Sequence, residues 1–447
     1  SADVDNRAVT IEVANIEFNE PFRCTDEAYN SLIKLCADIC KRNNIKELKW
    51  KNDKSLLFKT EEQNMIPHRW LANKSCLPIY DTELLTKNGW IKLADVKIGD
   101  EIATVIPDDL SIIFDEVHDV VEPYKAIVYK NMCGLMATVD HRIIYSVDNS
   151  NINRIWNIGK FSNTFHNDEE FLVIPTAGNT NYEGLGLSSD FIKFLVAVQA
   201  DGHYMYERLV DGSKSYYGLE FHLKKTRKID RIRNILESLK YRYTICYKSD
   251  GSTSIKIYNK KDFKIKDICE EYLDNKNFTW KLLYMNNTEA KTFIDELLLW
   301  DGSLKNHKYY SSKNINFEIV SAICALHNIG SYINWKNFSL KIYNNSVINL
   351  AKHNVEISIE DNEAITTVGC VSVSSGFILI RQNGRTFIVG NCPGEFLFSH
   401  YGDIANKVNA LLNGEKNKET NIVSNNNNND NDSNEKKIWN YLKDKKF

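Results

Sequence analysis

No run of about 18 apolar residues occurs in this chain, so nothing in it reads as a membrane-spanning helix. Its start lacks the basic, apolar and small-residue succession of a signal peptide. Charge of one sign is missing too: 56 Lys/Arg stand against 59 Asp/Glu, a net of −3, and no global field points to nucleic acid. The 10 cysteines form no disulfide framework; Cys36 and Cys40 are spaced as neighbours on one helical face, not as C-x-x-C, and read as buried thiols. A reducing, cytoplasmic setting is the expectation, and it suits chemistry that needs thiols. No Met precedes Ser1, which opens a strand-like run (AVTIEVANIEF), and Phe447 stops in mid-pattern; a fragment is expected at both ends.

What is present is organised around two distant points, Ser75-Cys76 and Asn391-Cys392. HRWLANKS joined to CPGEFLFSHYGDIANKVNALL reads as continuous protein, whereas HRWLANKS followed by CLPIYDTELL does not. With 447 residues, two or three domains are expected. Before the first point lie a strand, Ala8 to Ala14, and an amphipathic helix from about Thr25 to Arg42 with apolar Ala28, Leu32, Leu35, Cys36 and Ile39. After the second come a helix from about Asp403 to Asn413, an Asn-rich linker, and EKKIWNYLKDKKF, the first helix of a further domain.

Between the two points, residues 76 to about 150 carry short strands with turns at Asn88-Gly89 and Gly99-Asp100, then ATVDHRIIYS with Thr138 and His141 spaced T-x-x-H. Two β runs around Asn383-Gly384 close the segment, in the same style, which implies one β domain that is interrupted. Cys76 with its D-T and G-W-x8-G-D, the T-x-x-H block and the final hairpin ending in Asn before Cys together resemble the Hint fold of inteins. That resemblance implies protein splicing without a cofactor: Cys76 as first nucleophile, His141 as proton donor with Thr138 as its hydrogen-bonding neighbour, Asn391 cyclising, and Cys392 as acceptor. Two positions depart from the pattern. Inteins commonly place His before the terminal Asn, but Gly390 stands here, so cyclisation needs another donor that the sequence does not name. Cys370 falls where the family often has Asp; it is either a buried strand thiol or a carrier of a branched intermediate.

Residues 185 to 360 alternate helices and strands, with FLVAVQADGHY and FIDELLLWDGS ending in Asp-Gly at Asp201 and Asp301. Their spacing suits two copies of an αββαββα half-domain, and two helix ends delivering a carboxylate each to one point would suit Mg²⁺. The pair resembles the LAGLIDADG homing endonucleases that inteins often carry, which implies Mg²⁺-dependent cleavage of double-stranded DNA at the intein-free allele. Ala197 and Ala200 are small enough for a close helix contact, while Glu296, Leu297 and Trp300 are bulky for that family. From Lys193 to Asp267, 17 Lys/Arg face 9 Asp/Glu, a surplus that either tracks phosphates or is a solvated Lys-rich surface.

The joined ends carry TIEVAN, H-x5-K-x-C and CPG, and resemble a zinc N-acetylmuramoyl-L-alanine amidase of the phage-lysozyme and peptidoglycan-recognition type. The resemblance implies His68 and Cys392 as Zn²⁺ ligands, Lys74 at the oxyanion, Glu12 near the attacking water, and peptidoglycan as substrate of the joined product; the family's first zinc His has no counterpart here and is expected upstream, so these residues supply only part of the site. The expected fold is therefore multidomain. An all-β, horseshoe-like Hint domain (76–184 and 361–391) is interrupted by an α/β endonuclease domain (185–360). The halves of a partial α/β amidase (1–75 and 392–414) flank it, followed by a linker (415–436) and a truncated domain (437–447). A monomer without membrane contact is expected, the amidase reaching the cell wall after release. Hint-type autocleavage without ligation, and a mainly selfish nuclease with defective splicing, stay open as alternatives.

Overall fold

The computed structural model describes residues 8–14, 24–67, 76–121, 123–147, 154–164, 172–260, 264–350, 363–391 and 400–414. The chain is a multidomain, mixed α/β protein with several separate sheets, and it divides into two compact units. No helix among the described residues is long and apolar enough to cross a membrane.

The smaller unit joins residues 8–14 and 24–66 to residues 400–414. Its helix α1 (Asp26–Arg42) begins where the Thr25 hydroxyl accepts the Ala28 N–H at 3.0 Å, with Asp26 and Glu27 at the positive end of the dipole and Lys41 and Arg42 at the negative end. The buried face is Tyr29, Leu32, Ile33, Ala37 and Cys40, rotated from the face expected on Ala28, Leu35, Cys36 and Ile39. The cause is tertiary: α1 packs on the last helix, Tyr401–Leu412, and the Tyr29 hydroxyl donates to Asp403 at 2.7 Å across 374 positions of sequence. Asn409 adds a two-way bond to the Leu48 backbone, at 2.8 and 2.9 Å. The expected strand Ala8 to Ala14 does not form: residues 8–14 have irregular backbone, with Glu12 exposed. A strand needs a neighbour to hydrogen-bond, and among the described residues this unit holds helices and loops only, so the α/β character expected of the flanks is not seen there.

The larger unit opens with β1 (Leu77–Pro78), β2 (Thr82–Thr86) and β3 (Gly89–Lys92), the last two joined at the expected Asn88-Gly89 turn. After the Gly99-Asp100 turn come β4 (Glu101–Ile106), β5 (Ser111–Glu116), β6 (Asp119–Val120), β7 (Tyr124–Lys130), β8 (Met136–Ala137), β9 (Arg142–Tyr145), β10 (Asn157–Lys160) and β11 (Leu172–Pro175).

The middle of the chain then folds as α2 (Ser189–Asp201), β12 (Gly202–Arg208), β13 (Lys214–Leu223), α3 (Thr226–Ser238), β14 (Thr244–Tyr247), β15 (Thr253–Tyr258) and α4 (Ile265–Cys269). A small ladder, β16 (Leu273–Asp274) with β17 (Asn277–Phe278), leads into α5 (Asn287–Trp300), β18 (Gly302–Ser303), β19 (Lys308–Tyr310), α6 (Asn314–Leu326), β20 (Gly330–Asn334), β21 (Ser339–Tyr343) and β22 (Val347–Leu350). The two copies expected from the Asp-Gly spacing are visible in the strand order: β12-β13-β15-β14 in the first and β18-β19-β21-β20 in the second. Capping fixes both long helices. Ser188 accepts the Phe191 N–H at the start of α2, while Asn286 and Glu289 form a capping box on α5. The same Glu289 carboxylate accepts the Leu185 and Leu187 amides at 2.8 and 2.9 Å and so fastens the segment entering α2 to α5.

The last strands are β23 (Glu363–Gly369), β24 (Val371–Ser372), β25 (Phe377–Gln382) and β26 (Arg385–Gly390), ahead of α7 (Tyr401–Leu412) in the smaller unit. They return to the first β segment: β23 lies between β1 and β7, β24 pairs with β6, β25 with β2 and β4, and β26 with β9. The strands of the two β segments thus pair with one another in shared sheets. A difference lies at their border with the insert. β22, within the span 185–360, pairs with β11, and β20 joins β26 through Tyr332 and Arg385, so the second copy's strands continue the sheet that carries β25 and β26. Gly384 makes that join possible: its φ is +78°, and a Cβ there would sit 2.4 Å from the Ile333 carbonyl oxygen.

Arg381 on β25 is buried beside this join, donating through Nε to Glu83 at 2.7 Å and lying 4.4 Å from the Trp90 ring centre and 5.7 Å from that of Trp335. Burial would raise the Glu83 carboxyl, but the Arg381 bond and Lys92 hold it below its ordinary value. Arg381→Met is expected to cost about 3 kcal/mol in chemical denaturation, because it leaves Glu83 without its buried partner. Since a lowered carboxylate contributes stability above its unfolded pKa and loses it as pH falls through the folded one, the gap between variant and parent should close in acid.

Candidate splicing centre and paired carboxylates

The first chemistry-bearing cluster is assembled by the tight turn between β8 and β9. Cys76 is fully buried, and its amide N–H donates to the Thr138 hydroxyl at 2.9 Å while the Thr138 amide donates to the Cys76 carbonyl at 3.1 Å. The His141 amide closes the turn on the Thr138 carbonyl at 3.0 Å, and the His141 carbonyl accepts the Phe161 amide at 2.6 Å, so the imidazole is held in a wholly buried position. T-x-x-H is therefore one turn whose first residue grips the amide nitrogen of Cys76.

Asn391 reaches the same turn from the other end of the sequence. Its side-chain nitrogen donates to the Val373 carbonyl at 3.2 Å and its amide to the Gly376 carbonyl at 2.9 Å. The group expected to replace a penultimate His was not identifiable from sequence; here Arg142 meets the Asn391 carbonyl oxygen at 3.2 Å and its side-chain oxygen at 3.1 Å, both from Nη2. The one signal available beforehand was the residue following the T-x-x-H block. Cys370 is buried in the small apolar cluster that also holds Cys76, and the pairing of Leu77 with Gly369, carried one step further, sets the two cysteines opposite each other.

Thr138→Ala would leave the buried Cys76 N–H without that acceptor, at a cost of about 1–3 kcal/mol. It is expected to slow thiol-induced cleavage before Cys76 by roughly tenfold, read by gel densitometry over time.

The second cluster lies where α2 and α5, packed together, end. Asp201 is the last residue of α2 and Asp301 the C-cap of α5, so each carboxylate leaves a helix at the same level. Lys228 of α3 brings them to one point, its ammonium lying 2.5 Å from Asp201 Oδ2 and 3.3 Å from Asp301 Oδ1. Burial raises the Asp301 carboxyl, Lys228 opposes this, and the neighbouring Asp201 charge adds to it. Two carboxylates that already share one cation suit Mg²⁺, which takes a few carboxylate oxygens and keeps water for the rest. Beside Asp301 opens a cavity of about 760 Å³ lined in part by Lys225, Arg227, Lys228, Tyr310 and Phe338, a basic wall against which phosphates could lie.

The bulky residues of α5 have partners. Glu296, 1% exposed, accepts from Arg231 Nε and from the Trp300 indole, each at 2.6 Å. Ala197 on α2 is fully buried, and Ala200 is partly buried.

The amidase residues do not form a site among the described residues. His68, Lys74 and Cys392 lie outside them, Glu12 is exposed, and no group of three or more His, Cys, Asp or Glu stands ready for a metal ion.

No protein-family model matches this chain. It is 24% identical over 409 residues to the ribonucleoside-diphosphate reductase subunit beta of Aquifex aeolicus (strain VF5), a match covering 78% of this chain and 52% of that protein. The chain thus spans about half the length of the curated relative it matches. Solved structures similar to part of it include mesophilic variants of the homing endonuclease I-DmoI, at 15% identity over 37% of this chain and 89% of that one, with a TM-score of 0.26. I-DmoI in complex with DNA and Mn is similar at 16% identity over 36% and 89%, with a TM-score of 0.25. The complex with DNA and Ca gives 15% over 37% and 84%, with 0.26.

Proposed function

We propose that residues 76–391 excise themselves, join Ser75 to Cys392, and carry a DNA endonuclease within them. One observation carries the reading. The amide of Cys76 and the carbonyl of Asn391, the two places where such an insert must be cut, are held by the turn before β9 and by the strand's first residue, through Thr138 and Arg142. The packing of residues 24–66 with residues 400–414 adds to it, because flanks that already fold together are what ligation would join.

The chemistry needs only groups of the chain. Cys76 Sγ gives up its proton and attacks the Ser75 carbonyl carbon, the carbon–nitrogen bond breaks, and the departing Cys76 nitrogen takes a proton from His141, which the thiol's proton replaces, leaving a thioester. The Cys392 thiolate attacks this thioester, releases the Cys76 thiol and carries the first flank as a branch. Asn391 Nδ2 then attacks its own main-chain carbonyl carbon and expels the Cys392 nitrogen, closing a succinimide. The freed Cys392 amine attacks the branch thioester, restoring a thiol and forming an ordinary peptide bond. Two peptide bonds are broken and two carbon–nitrogen bonds are formed, the Ser75–Cys392 peptide and the succinimide, so no energy source is required.

For the endonuclease, Asp201 and Asp301 would hold Mg²⁺, which supplies charge for activating water against a phosphodiester. Lys225 and Arg227 border the cavity where the backbone of intein-free DNA would lie. For the flanks, the sequence motifs alone support the zinc amidase. His68 and Cys392 would be two of the three protein ligands in the joined product, so the precursor is expected to lack amidase activity and excision to restore one ligand.

Intact-mass measurement of the expressed chain tests the splicing reading. The expected products are an insert of about 316 residues and a joined flank of about 131. Two separate flank pieces would establish autocleavage without ligation, and an unprocessed chain would leave only the nuclease.

A further inference from the structure

We infer that Arg142 is the catalytic residue for cleavage after Asn391, supplying the positive charge that a penultimate histidine would otherwise bring. The inference rests on the splicing reading and deepens it by assigning the group that the sequence left unnamed.

When Asn391 Nδ2 attacks the Asn391 carbonyl carbon, negative charge grows on the carbonyl oxygen. Arg142 Nη2 already donates to that oxygen at 3.2 Å. A donor in place before the reaction stabilises the developing oxyanion without reorganising, and at a part-buried position its charge is worth more than in water. The same Nη2 lies 3.1 Å from Asn391 Oδ1. It therefore ties the side-chain amide to the main-chain carbonyl it must attack, while Val373 holds Nδ2 on the other side. The guanidinium is itself held: Nη2 also meets the Gly376 carbonyl at 3.1 Å, and its carbon lies 5.2 Å from the Phe377 ring centre.

Gly390 and Arg142 are two halves of one arrangement. The register of β26 on β9 pairs Val389 with Ile143, which puts Gly390 beside Arg142. A Cβ on residue 390 would stand 2.5 Å from Arg142 Cβ. No side chain, histidine included, fits at position 390 while Arg142 keeps this place. The glycine is what lets the guanidinium reach the carbonyl.

The test uses the full chain and follows two cleavages separately: thiol-induced release before Cys76, and release between Asn391 and Cys392. Arg142→Met should slow the second by roughly 100-fold, the scale of losing one oxyanion donor, and leave the first within about threefold. Arg142→Lys should recover part of the second cleavage, since an ammonium keeps the charge but not the planar fork. Gly390→His should also slow the second step, because its Cβ displaces Arg142, and adding Arg142→Ala to it should restore some of the rate. The inference is overturned if Arg142→Met cleaves after Asn391 within threefold of the parent. It is equally overturned if the Met and Lys variants lose both cleavages alike, which would mark Arg142 as structural. A parent chain that releases no insert would instead remove the splicing reading itself.

Discussion

Asn391→Ala is expected to abolish cleavage between residues 391 and 392, leaving an insert that stays attached to the second flank, while thiol still releases the first flank before Cys76. Alanine has no nitrogen with which to attack, so the loss should be complete on the timescale of parental splicing. The substitution removes a buried side chain whose nitrogen bonds the Val373 carbonyl and whose oxygen accepts from Arg142. That costs about 1–3 kcal/mol, too little to unfold a β domain of this size. The Asn391 amide still reaches Gly376, so the strand end stays in place. Electrophoresis with mass identification of each band reads the result. Release of a free second flank from the alanine variant would rule out cyclisation at this residue.

The second large effect belongs to the other cluster. Asp201→Asn is expected to lower Mg²⁺-dependent cutting of intein-free DNA across the insertion site by at least about a thousandfold, the rate equivalent of losing some 4 kcal/mol of metal-assisted stabilisation. The amide keeps the shape of the helix end but removes one of the two charges that Lys228 now bridges. The remaining carboxylate, Asp301, has its pKa raised by burial, so metal affinity should be lost as pH falls through that raised value. Parental cleavage should accordingly fade on the acid side. A supercoiled plasmid bearing the joined site supplies the assay. Cutting by the Asn variant within threefold of the parent would take Asp201 out of the site.

Much of the larger unit was legible in sequence because its signals are local. Asn-Gly and Gly-Asp turns need residues that tolerate positive φ, and Gly89, Gly99, Asn383 and Gly384 all adopt it. An apolar run ending in Asp-Gly locates α2 and α5 for the same reason. The strand expected at Ala8 to Ala14 failed on the opposite ground. Alternating apolar residues describe what a strand would bury, but pairing requires a neighbour that no local pattern guarantees. The face of α1 was misplaced likewise, since Tyr29 is drawn in by Asp403 from the far end of the chain.

By itself the sequence supplied the candidates: Cys76, Thr138, His141, Asn391, Asp201 and Asp301 are proposed on residue type and spacing, because a nucleophile, a proton carrier or a carboxylate is a property of the side chain. Tertiary structure alone decided what meets them. Arg142 at the Asn391 carbonyl, Lys228 between the two aspartates and Arg231 on Glu296 are contacts of charged groups brought from distant elements. The strength of such contacts depends on distance and burial, which chain folding sets and local pattern does not.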